Sequence, residues 1–343
     1  MIDLRSDTVT LPTQEMKEAM ASALLGDNVL DRDPTIQKLE ELAAQMTGKE
    51  AALFVPSGTM SNQIALATHT RPGDSVLFED EAHMVFYEGG APAVTAGVIT
   101  RGVRAPNGVL TPELVEPAIL TRSHHTPGTS LICLENTHNR HGGSITTMAE
   151  HQALKAMSLR KGVPLHLDGA RLFNACVAQG CRVDEIACEV DTLSICLSKG
   201  LGSPVGSILL GPKAFIDEAE YWRKRLGGGM RQIGMLAACG IVSLTKMVDR
   251  LAEDHRRASA LAALCAELPG LKPLPCQTNI LILETTAPAE AWRHELEQSG
   301  VRTIPFGPHK LRAVFHYDID DKDLAATKSA FAATASALKN VTE

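Results

Sequence analysis

An excess of positive charge is missing from this 343-residue chain: 33 Lys and Arg stand against 40 Asp and Glu, a net charge of −7. A nucleic-acid surface normally shows as a basic patch, and no segment is polybasic enough to hold an anionic membrane. Long apolar runs are missing too. No window approaches the roughly 20 residues of a membrane span, and Asp3, Arg5 and Asp7 interrupt any signal-peptide core at the N-terminus. There is no Cys-x-x-Cys pair, which leaves a zinc ribbon or a thioredoxin-like centre little support. Eight cysteines in this length are too sparse for a disulfide scaffold. The 27 glycines and 18 prolines are too few for a low-complexity or collagenous chain. The expectation is a soluble cytoplasmic protein with buried free thiols, no nucleic-acid partner and no membrane, long enough for about two domains.

What is present is an alternation of short apolar runs and helical patterns. Asp33-Pro34 opens a helix, since Asp is a good N-cap and Pro fits the first helical position. Ile36, Leu39, Ala43 and Met46 follow at helical spacing, and Gly48 closes the end. Runs at 51–55, 75–78, 131–134, 165–167, 192–197 and 207–210 read as buried strands, with helices predicted over 149–160 and 171–179. Buried strands separated by helices imply an α/β fold with a mostly parallel sheet covered on both faces. Residues 215–268 read as helix interrupted at Gly227-Gly228-Gly229 and near Gly240. Strands predicted at 279–284 and 312–317, and helices at 289–298 and 322–338, form a small C-terminal α+β unit. The predicted division is a large domain over 1–250 and a small one over 251–343.

Four features carry chemistry when taken together. In Phe54-Val-Pro-Ser-Gly-Thr-Met-Ser-Asn a strand runs into a Gly-containing turn and a helix, a place where backbone N–H groups suit a phosphate, although ordinary βα turns use the same residues. In Leu165-His-Leu-Asp-Gly-Ala-Arg, Asp168 ends an apolar strand, at the edge where open α/β sheets bind ligands; a helix cap is the plainer reading. In Ser194-Ile-Cys-Leu-Ser-Lys-Gly-Leu-Gly, Lys199 follows an apolar strand, where an amine can serve as a nucleophile or simply be solvated. In Tyr221-Trp-Arg-Lys-Arg-Leu-Gly-Gly-Gly-Met-Arg-Gln, cations flank three glycines, which suits an anion or a solvated helix end. A phosphate cup, a strand-end Asp, a strand-end Lys and a basic cluster are together the parts of a pyridoxal phosphate site.

The chain resembles the low-specificity L-threonine aldolases, pyridoxal phosphate enzymes of fold type I. The resemblance rests on Ile2-Asp-Leu-Arg-Ser-Asp-Thr-Val-Thr, Gly48-Lys-Glu-Ala-Ala, Ala82-His83, Leu134-Glu-Asn-Thr-His-Asn, His166-Leu-Asp-Gly-Ala-Arg, Cys196-Leu-Ser-Lys-Gly-Leu-Gly and Gly227-Gly-Gly-Met-Arg-Gln, in this order along nearly the whole length. It implies a large domain with a mostly parallel seven-stranded sheet, a small C-terminal α+β domain, and cleavage of L-threonine or L-allo-threonine to glycine and acetaldehyde. It implies that Lys199 carries the cofactor covalently and that Asp168 pairs with its ring nitrogen. Gly58, Thr59 and Ser198 match positions near the phosphate, and Lys224 and Arg231 complete the site, partly across a subunit interface of a homotetramer built from dimers. His83 matches the imidazole stacked on the cofactor and facing the substrate hydroxyl. His125 aligns with a second histidine near that hydroxyl. Ser6, Arg171 and Arg312 match the groups that hold the substrate carboxylate, with Arg171 also beside the cofactor. The base that takes the hydroxyl proton is left open among His83, His125 and a water they orient. Leu30 stands where the family commonly has a Tyr, and Met84-Val85-Phe86 replaces a more polar or aromatic stretch. His138 and His141 are spaced like a metal pair but read as structural or surface residues, so no metal is expected. Other fold type I reactions, namely β-elimination, transamination and hydroxymethyl transfer, are the alternatives. A cofactor-binding protein without turnover would need to have lost Lys199, Arg171 or Arg312, and all are present.

Overall fold

The computed structural model describes residues 1–342, and the side chains of residues 1–338. Local sequence signals set several element ends. The Asp33 carboxylate accepts from the backbone N–H groups of Thr35 and Ile36, so the helix Pro34–Thr47 starts there, and it stops at Gly48, whose φ of 67° favours a residue without Cβ. Thr147 and Glu150 form a reciprocal cap on the helix Met148–Lys161.

In chain order the strands are β1 (Ile2–Asp3), β2 (Ala51–Val55), β3 (Ser75–Glu79), β4 (Ile99–Val103), β5 (Thr129–Glu135), β6 (Leu165–Gly169), β7 (Thr192–Cys196) and β8 (Ser207–Gly211). After them come β9 (Leu271–Pro273), β10 (Ile280–Thr285), β11 (Val301–Arg302), β12 (Ile304–Gly307) and β13 (Lys310–Val314). Seven strands make the large sheet, in the order β2-β8-β7-β6-β5-β3-β4. Only β8 runs against its neighbours; the other pairings are parallel. The reversal turns β7 and β8 into a hairpin, closed where the Leu197 N–H donates to the Gly206 carbonyl. The loop it encloses carries Lys199. The smaller sheet is antiparallel, in the order β12-β13-β10-β9.

Two main apolar cores follow. One gathers residues from Met16 to Leu251 around the large sheet. The second runs from Ala258 to Ala335 and includes Leu4. The N-terminal β1 also pairs with β11 of the C-terminal part, so residues 2–4 pack with the second unit although the chain begins in the first. The final residue of the expected 251–343 unit, Glu343, lies outside the described residues.

Two local expectations need correction, and one strand of the large sheet was not expected. The helical stretch after 215 breaks at 247–250, not near Gly240, because Gly240 lies inside the helix Gly234–Lys246. There a Cβ would come within 2.8 Å of Leu39 and 3.0 Å of Leu197, so this glycine serves close helix packing. The strand expected at 312–317 is β13, two residues earlier, and Phe315 to Tyr317 lie beyond it. β4 had no signal, because this edge strand is mostly exposed and shows no buried run.

Candidate active site

The sheet register brings the functional residues to one edge. Glu135 is level with Asp168, Gly169 with Ile195, and Cys196 and Val55 with Ser207. The residues after these strand ends therefore share one rim: Ser57-Gly58-Thr59 after β2, Asn136 to Asn139 after β5, Arg171 after β6, and Ser198-Lys199 after β7. Ligands of open α/β sheets bind at such carboxyl ends.

Asp168 is 4% exposed. Its Oδ2 accepts from Asn62 Nδ2 at 2.7 Å and its Oδ1 from the Ala170 N–H at 3.0 Å. Among the described residues it has no ion pair. A buried carboxylate served only by neutral donors leaves room for a cationic partner. The helix Gly58–His69 begins nearby, with the Ser57 side chain accepting from the Met60 N–H. Among the described residues the buried Ser207 Oγ has no hydrogen-bond partner, and a Cβ on Gly58 would lie 3.5 Å from it. These features fit pyridoxal phosphate: Asp168 for a protonated ring nitrogen, the helix start and Ser207 for a phosphate, and half-buried Lys199 for the covalent link.

A cavity of about 440 Å³ opens beside Lys199, lined among others by Ser6, His83, Tyr87, Asn139, Arg171 and Arg312. The two arginines differ in charge balance. Arg171 Nε and Nη2 each donate to the Asp7 carboxylate at 2.7 Å, and only Nη1 turns to Asn139 Oδ1, at 3.2 Å. Among the described residues Arg312 has no carboxylate partner. Its Nη1 donates to the same Asn139 oxygen at 3.3 Å, its Nη2 to the Arg5 carbonyl at 3.3 Å, and its Nε is buried without a partner. Burial, and then the charge of Arg171, pull its pKa down to about 10. The uncompensated charge expected of a carboxylate clamp thus belongs to Arg312, while Asp7 already neutralises Arg171.

His83 begins a short helix after β3. Its Nδ1 meets Glu88 Oε1 at 3.0 Å, and its backbone N–H donates to Glu135 Oε2 at 2.7 Å. Burial pulls its pKa down, but the bond to Glu88 and the charge of Asp168 outweigh burial and hold it above its ordinary value. Glu88 also accepts from Asn62 Nδ2 at 2.9 Å and from Gln63 Nε2, so Asn62 ties Glu88 to Asp168.

Ser6, His83, Arg171, Lys199 and Arg312 therefore share the cavity, and Gly58, Thr59, Asp168 and Ser198 stand on the same rim. His125, Lys224 and Arg231 do not join them within one chain. His125 lies in an exposed loop, its backbone N–H on Ser123 Oγ; Lys224 is exposed; Arg231 pairs with Asp27 at 3.2 Å. Leu30 is 76% exposed. Four partners escaped the sequence reading: Asp7, Asn62, Glu88 and Asn139. Asp7, Asn62 and Asn139 lie inside quoted motifs, but only tertiary packing shows that Asp7 and Asn139 meet arginines and that Asn62 meets Asp168 and Glu88. Tyr87 was missed as well; its hydroxyl accepts from Arg140 Nη1 at 3.0 Å.

Comparison with known proteins identifies the family. The β-eliminating lyase family matches residues 3–288. The low-specificity L-threonine aldolase 1 of Arabidopsis thaliana is 42% identical over 340 residues, covering 96% of this chain and 95% of its own. The low-specificity L-threonine aldolase of Escherichia coli K12 is 40% identical over 326 residues, covering 95% and 96%. Among solved structures, a putative L-allo-threonine aldolase from Listeria monocytogenes superposes with a TM-score of 0.82 at 22% identity, over 97% of this chain and 96% of that one. The threonine aldolase of Leishmania major gives 0.82 at 21% identity, over 100% of both chains. At these identities the two structures attest the fold.

Proposed function

The chain belongs to the low-specificity L-threonine aldolases within the β-eliminating lyase family, and on that premise we infer a pyridoxal phosphate-dependent aldehyde-lyase. Its reaction cleaves L-threonine, L-allo-threonine and related L-β-hydroxy-α-amino acids between Cα and Cβ, giving glycine and an aldehyde, which is acetaldehyde for threonine. The observation that carries the reading is the buried Asp168 carboxylate, which among the described residues lacks a cationic partner, on the rim that also holds Lys199, beside a cavity that Lys199 lines together with the cation of Arg312.

Pyridoxal phosphate, when bound, draws electrons from the substrate's Cα and so loosens a bond there. Lys199 would hold it covalently, Asp168 would face its ring nitrogen, and the start of the Gly58–His69 helix with Ser198 and Ser207 would receive its phosphate. Arg312, with Ser6, binds and orients the substrate carboxylate through charge-assisted hydrogen bonds. Arg171 braces this wall through Asp7 and lends one N–H. His83 stands in the cavity with Nδ1 committed to Glu88, which leaves Nε2 to take the β-hydroxyl proton. His83 is thus the base in this reading; His125 lies outside the single-chain cavity.

The same placement supports a reading of the assembly. Lys224, Arg231 and His125 are exposed, as are Leu24, Leu30 and Tyr221 at 73%, 76% and 64%. A homotetramer built from dimers, with His125, Lys224 and Arg231 reaching a neighbour's cavity, accounts for polar site residues and apolar side chains left exposed on the single chain. Sedimentation velocity measures it. All eight cysteines are free, which supports a reducing, cytoplasmic setting.

The test supplies L-threonine and L-allo-threonine, with and without added pyridoxal phosphate, and assays products. Glycine and acetaldehyde are expected. A 2-oxo acid with ammonia would instead assign β-elimination. A Lys199→Ala protein that kept both cleavage and the yellow cofactor absorbance would overturn the role of Lys199.

A further inference from the structure

Beside the cavity, but sharing no side chain with it, the end of β3 and the loop after β5 bring four ligand-type groups together. Glu79 Oε2 lies 2.8 Å from His138 Nε2, and Glu79 Oε1 lies 3.8 Å from His141 Nε2. Glu81 Oε2 is 3.2 Å from the same His141 nitrogen. Nitrogen and oxygen ligands about 2.0–2.1 Å from a tetrahedral ion stand roughly 3.3 Å apart, and these separations straddle that value. His141 Nε2 is buried and makes no hydrogen bond of good geometry. The two imidazoles cross at 74° with centroids 4.7 Å apart. Gly108 seats both rings, since a Cβ there would come within 2.6 Å of His141 and 2.7 Å of His138.

The surroundings suit a cation. Glu135 Oε2 stands 4.0 Å from His138 Nε2, so three carboxylates converge on the two imidazoles. Arg140 is the guanidinium paired here, and it takes Glu81 Oε1, leaving Oε2 toward His141. The Glu81 backbone N–H donates to Glu79 Oε2 at 2.7 Å and orients that carboxylate. A cavity of about 260 Å³, lined by Glu81 and His141, reaches the cluster from outside.

We propose that Glu79, Glu81, His138 and His141 form a binding site for a divalent transition-metal ion, with Zn²⁺ as the reference. Two imidazoles and two carboxylates are the borderline ligand set that Zn²⁺ and Co²⁺ accept. The spacing of His138 and His141 alone reads as structural; the carboxylates from β3 change the reading. The ion joins the end of β3 to the loop that presents Asn139 to the substrate cavity, so its role is to hold that loop, apart from the covalent chemistry.

The experiment uses chelator-treated holoenzyme dialysed against Zn²⁺, with metal counted by mass spectrometry and the cofactor by its absorbance. One ion per chain is expected, with affinity falling at least about tenfold in His141→Ala and in Glu81→Gln while cofactor absorbance stays unchanged. Co²⁺ in the same site gives four-coordinate visible bands that vanish in both variants. Absence of a retained ion, or retention undiminished in both variants, overturns the proposal. Cys188→Ser, which removes the exposed thiol, leaves the count at one; a fall there places the ion on sulfur and overturns the proposal as well.

Discussion

Replacing Asp7 by Asn tests whether the Arg171 pair holds the substrate wall together. Asp7 is fully buried and takes two 2.7 Å bonds from Arg171 and one of 3.3 Å from Asn279. Burial pushes its pKa up, but Arg171 pulls harder, and the result is a fall from 3.8 to about 2. By proton linkage that difference stabilises the fold by about 2 kcal/mol at neutral pH. Breaking a buried ion pair costs about 3–5 kcal/mol, and Asn keeps one acceptor oxygen, so a loss of about 2–3 kcal/mol is expected. The sign is fixed by the lowered pKa: the stabilisation is present above the unfolded value of 3.8 and is lost as pH falls toward 2. Urea unfolding of both proteins, at equal concentration with cofactor bound, should show a gap at pH 7 that closes as pH approaches 2. Other carboxylates titrate in that window, Glu79 among them at about 2, but they cancel in the difference. A gap that stays constant from pH 5 to pH 2, or one below about 0.5 kcal/mol at pH 7, refutes the argument.

Arg312→Lys replaces a planar fork by a point charge, so KM for L-threonine should rise at least about tenfold with cofactor absorbance unchanged; an unaltered KM moves the carboxylate elsewhere. In Glu88→Gln the carboxylate bond that raises the His83 pKa is gone while burial still lowers it, so His83 loses its proton at lower pH. The acidic limb of kcat/KM should move toward acid, and a fixed limb assigns the base to another group. Gly240→Ala should destabilise the fold by about 1–3 kcal/mol through overpacking against Leu39 and Leu197, against a gain of about 1 kcal/mol in helix propensity; a raised melting temperature contradicts this packing.

The large sheet was legible because its strands are buried on both faces and read as apolar runs; β5, β6, β7 and β8 appear within two residues of their predicted ends. β4 was not, because an exposed edge strand carries no such run. Asp168 and Lys199 were singled out because a charge ending an apolar strand stands out, and the fold sets both on one rim. Glu88 and Asn62 were not, because a polar residue inside a helical or turn segment looks solvated until the fold buries it. The reversal of β8 was equally invisible: strand direction depends on where a loop returns, and periodicity is silent about that.

Asn139 Oδ1 rests between Arg171 and Arg312 at 3.2 and 3.3 Å. In the proposed reading, admission of an amino acid is an exchange, in which an uncharged amide oxygen yields its seat to a formal anion. A threonine whose acid group is masked by amidation, or locked into a peptide bond, offers these guanidiniums little more than Asn139 already does. The enzyme would thus ignore threonine within intact polypeptides without needing any steric gate.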